Sequence, residues 1–145
     1  MRALVMAGIA AAGVTMMSGT VFAQEGDLVN VFKMKAGECY NGELNGDPMP
    51  RMACTGSKMF ELYAVYKVKG KEYPGDDAME AEAERGCMKA FEEYVGIPFE
   101  DSEFAFDYLT PSQGSWTMKK DREVMCFITT VADEPFEGVA KDSKR

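Results

Sequence analysis

The 145-residue chain contains no histidine. That absence excludes Ser-His-Asp and Cys-His catalysis, and every metal site that needs an imidazole ligand. Basic residues are scarce, with 16 Lys and Arg against 24 Asp and Glu and a formal charge of −8. A nucleic-acid binder normally carries a basic face, so this balance argues against one. No repeat, low-complexity tract or linker interrupts the chain. The apolar run Ala3 to Val14 is too short for the ~20 residues of a membrane-spanning helix, and no later segment could span a bilayer. Length and a hydrophobic content of 46% suit one globular domain.

What is present begins with an export signal. Met1-Arg2 is a short positive start, Ala3 to Val14 is apolar, and Thr15 to Thr20 leads to Val21-Phe22-Ala23. Small residues at the −3 and −1 positions favour cleavage before Gln24. The sequence therefore predicts a signal peptide over 1–23 and a single domain over 24–145, periplasmic or secreted and not membrane-spanning once the signal is removed. All four cysteines, Cys39, Cys54, Cys87 and Cys126, lie in that domain. An even number in an exported chain reads as two disulfides, with three pairings open. Local geometry favours Cys39–Cys54, which brackets a turn-rich loop, and Cys87–Cys126, which would tie a helix to a strand. No Cys-x-x-Cys spacing supports a thiolate-zinc site.

The pattern predicts α+β architecture, a mainly antiparallel sheet packed against one main helix at about 76–95. Strands are expected at Leu28 to Met34, Phe60 to Val68, Glu103 to Thr110 and Val124 to Val131, with a short one opening at Trp116. In the second of these, Phe60, Leu62, Ala64, Tyr66 and Val68 would share one face. The helix carries an apolar stripe at Met79, Ala83, Cys87, Phe91 and Val95 and stops at Gly96 and Pro98. Asp77 with Glu80 resembles a capping box. Gly86 inside the helix suggests the close approach of another backbone. From Asp133 onward the chain is polar and is expected to fray.

The order of short motifs is Gly37-Glu38-Cys39-Tyr40, Cys54 with Glu61, Tyr73-Pro74-Gly75, Cys87 with Phe91 and Tyr94-Val95-Gly96, then Pro111, Trp116, Asp121-Arg122 and Cys126. That order resembles the bacterial septum-formation-like domain, an exported or membrane-tethered module. The family pattern carries a His where this chain has Lys58, and a Gly before Asp-Arg where it has Lys120. The resemblance implies a link to septum or envelope processes and no established chemistry. Beyond the cysteines it singles out Glu61, Trp116 and Arg122. These could form a pocket with Trp116 as a flat binding surface and Glu61–Arg122 as a polar anchor. The plainer reading puts Trp116 in the core and makes Glu61–Arg122 a structural ion pair.

Other chemistry has little support. Met49 and Met52 could offer two thioethers to Cu(I), but methionine more often fills apolar gaps. Ser57 and Lys58 would point apart on a strand, and no spacing nominates a carboxylate pair for acid-base work. The acidic clusters lack the ligand alternation of a calcium loop. The expectation is a non-enzymatic, disulfide-stapled envelope module with a protein or cell-wall partner, no catalytic residue, no metal and no cofactor. A small periplasmic ligand- or metal-binding protein is the alternative, and a small hydrolase the third.

Overall fold

The computed structural model describes residues 26–145; the segment read as a signal peptide, 1–23, lies outside the described residues. Six strands form one sheet: β1 (Leu28–Val29), β2 (Cys39–Tyr40), β3 (Met49–Met52), β4 (Phe60–Lys67), β5 (Phe104–Leu109) and β6 (Glu123–Thr130). Their order is β1-β3-β2-β4-β6-β5, and every pairing is antiparallel. A long helix, α1 (Asp76–Val95), covers one face, and a short one, α2 (Gln113–Met118), precedes β6. This is the α+β architecture that the sequence predicts. Among the described residues no helix is long and apolar enough to cross a membrane.

Strand β6 is buried from Val124 to Thr129 because both faces of the sheet carry a core. Val124, Cys126 and Ile128 pack toward α1, against Met79, Ala83, Cys87, Phe91 and Val95. Met125 and Phe127 point the other way, into a second core with Met34, Tyr40, Met49, Phe60 and Leu62. The α1 stripe is the one its four-residue recurrence predicts. Cys87–Cys126 pins that stripe to β6, and Cys39–Cys54 closes the loop carrying β3. Their Cα separations, 5.5 and 5.2 Å, are ordinary for disulfides.

Several local expectations are corrected. The β4 register shifts between Leu62 and Ala64. Phe60 and Leu62 therefore join the second core, whereas Tyr63, Ala64, Tyr66 and Val68 join the α1 core. One extra residue in a strand flips the facing of everything after it. Leu28 to Met34 is a strand for two residues only, followed by a 3-10 turn at Val31–Lys33 whose start Asn30 caps through its side chain. Trp116 lies in α2 rather than in a strand, because Ser112 and Ser115 form a reciprocal capping box there. No such box forms at α1: Gly75, at φ +97°, is its N-cap, and the Asp76 carboxylate accepts the Tyr73 hydroxyl at 2.6 Å. What approaches Gly86 is a side chain, not a backbone. A Cβ there would overlap the Tyr66 hydroxyl, which donates to the Glu82 carbonyl at 2.9 Å.

The C-terminal segment does not fray. Phe136 and Ala140 are buried, and Phe136 exchanges two backbone hydrogen bonds with Lys58, at 2.9 and 3.0 Å. The Asp142 and Lys144 N–H groups then donate to the Tyr94 and Val95 carbonyls, satisfying the open end of α1. A polar composition hid two apolar anchors spaced along a strap.

All six tyrosines of the chain hold their phenol protons more tightly than usual. Burial pushes Tyr66 up to about 12, and the hydrogen bond to Asp76 does the same for Tyr73. Burial raises Tyr40, Tyr63, Tyr94 and Tyr108 as well. A phenol whose folded value lies above its unfolded one contributes stability that is fully present below pH ~10 and is lost as pH rises through the folded value. Native protein titrated by absorbance at alkaline pH should therefore show almost no tyrosinate near pH ~10, with ionisation arriving together with unfolding at higher pH. Tyrosines that ionise near their ordinary value in folded protein would contradict this packing.

Candidate functional site

The residues singled out from the sequence fall into two separate places. Glu61 does not meet Arg122. It lies second on β4, opposite Cys39, and its fully buried carboxylate lies 3.8 Å from the equally buried Lys58 ammonium. Glu61 accepts the Tyr94 hydroxyl at 2.8 Å and the Ala140 N–H at 2.9 Å. Lys58 donates to the Cys54 carbonyl at 2.8 Å and to the Gly138 carbonyl, and sits 4.1 Å from the centre of the Phe136 ring. Burial pulls the Lys58 ammonium below the usual lysine range, while the Glu61 charge opposes that shift. Each polar atom named here faces protein, so the pair is a clamp for the C-terminal strap and offers nothing to a solvent-borne substrate.

Trp116 and Arg122 do come together. The Trp116 ring is buried against Tyr73, with centroids 5.8 Å apart, and its indole N–H donates to the Lys71 carbonyl at 3.1 Å. The Arg122 guanidinium stacks 3.5 Å from the ring centre and donates to the Trp116 and Asp121 carbonyls at 2.9 and 2.8 Å. Trp116 is thus core rather than a flat binding surface, and Arg122 holds the α2–β6 turn closed over it. Of the two readings of this cluster, the geometry joins Trp116 to Arg122 and leaves out the Glu61–Arg122 ion pair.

Around Trp116 and the half-buried Arg122 the surface is rich in lysine. Lys67, Lys69 and Lys71 leave the end of β4, and Lys119 and Lys120 follow α2; all five are exposed. The Val68 N–H donates to the Arg122 carbonyl at 2.9 Å, which joins the two segments. Two open depressions of about 370 and 410 Å³ flank the ridge formed by Lys120 and Arg122. A third, of about 360 Å³, lies between α2 and the 3-10 turn, lined by Phe32, Ser115 and Lys119. The available signal was five lysines in two short turns of an acidic chain, bracketing the single Trp.

Met49 and Met52, considered for copper, sit three apart on β3 and therefore on opposite faces of the strand. Met49 is buried in the second core, filling space beside Tyr40 and Leu62. Among the described residues no three Cys, Asp or Glu side chains gather as metal ligands would.

A family model described as septum formation matches residues 15–143. The chain belongs to the septum-formation family. The match takes in both disulfides, the Trp116–Arg122 pair and the C-terminal strap, so it covers the whole sheet with its clamp. Within the septum-formation pattern read from the motifs, the usual His corresponds to the sealed Lys58, and the usual Gly to Lys120, which stands at φ +57°. No curated protein and no solved structure matches the chain.

Proposed function

We propose that this protein is an exported, disulfide-stapled module of the cell envelope that acts by contact with an envelope protein or cell-wall component and performs no bond chemistry. The supporting observation is how the candidate reactive groups are used. Glu61 and Lys58 are sealed against each other and the strap, and Arg122 is spent on two carbonyls and the Trp116 ring. A general acid or base must reach the proton it transfers; Glu61 and Lys58 are closed off from solvent, and Arg122 is too basic to give up its proton. Membership of the septum-formation family and two disulfides fit an envelope or extracellular site. The link to septum formation rests on the family alone.

The reading is tested on protein recovered from the envelope or medium. Mass spectrometry should find a chain that begins at or within a few residues of Gln24, and the same preparation should show no turnover of peptidoglycan, ester or peptide substrates. A full-length N-terminus removes the export claim. A turnover abolished by Glu61→Gln at unchanged melting temperature removes the non-enzymatic one.

A further inference from the structure

We infer that the end of the molecule built by the β4–α1 loop and the α2–β6 turn is a docking surface for anionic lipid headgroups. Lys67, Lys69, Lys71, Lys119 and Lys120 are exposed there, and among the described residues only Lys67 has an ion-pair partner, Glu123 at 3.9 Å. Three acids stand among them: Glu72, exposed beside Lys71; Asp121, which accepts from the Ser115 hydroxyl and the Glu123 N–H; and Glu123, paired with Lys67. With Arg122 counted, six cations against these three carboxylates leave this end net positive. Acids farther away than about 10 Å are screened at ordinary ionic strength.

Charge alone would suit any polyanion, but this end also exposes apolar side chains. Met118 is 79% exposed and Phe32 47%. Met118 lies two residues beyond the buried Trp116, roughly 200° around α2, so it crowns the outer side of the helix. The Lys119 ammonium rests 4.6 Å from the centre of the Phe32 ring. Lysines interleaved with exposed Met and Phe are what an interfacial contact requires: the cations meet headgroups while the apolar tips enter the boundary beneath them. Lys120 adds a further sign. It holds a left-handed backbone position that favours glycine, and what lysine brings there and glycine lacks is a charged side chain.

This inference takes only the compartment from the envelope reading, and it leaves the rest of the surface for the partner. Co-sedimentation of purified protein with phosphatidylcholine vesicles, with and without one third phosphatidylglycerol, tests it. Binding is expected on the anionic vesicles only and is lost at raised salt. One lysine near such a surface is worth about fivefold in affinity. Lys120→Gly should therefore weaken binding about fivefold with an unchanged or higher melting temperature, and Lys119→Gln/Lys120→Gln roughly 25-fold. Met118→Ser should weaken vesicle binding severalfold while leaving any binding of soluble polyphosphate unaltered. Equal binding to neutral vesicles, no binding at all, or full binding by the double variant overturns the proposal. So does a silent Met118→Ser alongside tight polyphosphate binding, which would make the surface a polymer site. Because the vesicles meet purified protein, failure here leaves the export assignment standing, and a full-length N-terminus would leave the vesicle result standing.

Discussion

Lys58→Met is expected to cost about 3–5 kcal/mol of folding stability, the usual cost of removing one member of a buried ion pair. Lys58 and Glu61 have no solvent exposure, so the remaining carboxylate would stay buried without its counter-charge. Two carbonyls, of Cys54 and Gly138, would lose their donor at the same time. Small domains have roughly 5–15 kcal/mol in total, so the variant should sit close to unfolding at room temperature. The double variant Lys58→Met/Glu61→Leu is expected to recover part of the loss, because paired apolar replacements remove both desolvation costs. Recovery stays incomplete, since the Ala140 N–H and the Tyr94 hydroxyl still lose their acceptor. Urea unfolding of oxidised protein gives both values. A single variant within about 1 kcal/mol of wild type would mean that the pair is not sealed in solution.

Removing Cys87–Cys126 by Ala at both positions is expected to cost about 4 kcal/mol in the loop-entropy model, against about 3 for Cys39–Cys54. The bridges close sequence separations of 39 and 15 residues, and the longer one joins the middle of α1 to β6. Both cysteines are fully buried in the α1 core, so truncation also leaves space beside Phe91 and Ile128. Guanidinium unfolding of each double variant should rank them in that order. Equal or reversed losses would show that strain or residual structure in the unfolded chain, not loop length, governs these bridges.

The elements that repeat their pattern over many residues were legible. The α1 stripe, a last strand beginning near Val124 and the disulfide pairing all follow from local sequence, and the structure has each of them. What failed depended on single residues or on distant segments. The shift at Leu62 is one inserted position, invisible in a strand whose two faces are both apolar. Trp116 reads as β by propensity, yet a two-serine capping box makes its segment helical. Phe136 and Ala140 are isolated in a polar tail, and their partners, Lys58 and Glu61, lie about eighty positions earlier. Spacing put Glu61 and Arg122 in one family pattern, but pattern does not specify which charges meet, and Lys58, three residues before Glu61, is the nearer partner.

If the α2 end faces the envelope membrane and the sealed Lys58–Glu61 clamp only holds the fold, hydrogen exchange on the purified protein, with and without an isolated envelope fraction, separates the two regions. Expected is new protection across Lys67 to Lys71 and Lys119 to Glu123, with the amides of Lys58, Glu61 and Ala140 equally slow in both conditions. Protection changes centred on the clamp and strap, with the two lysine segments unaffected, would contradict it.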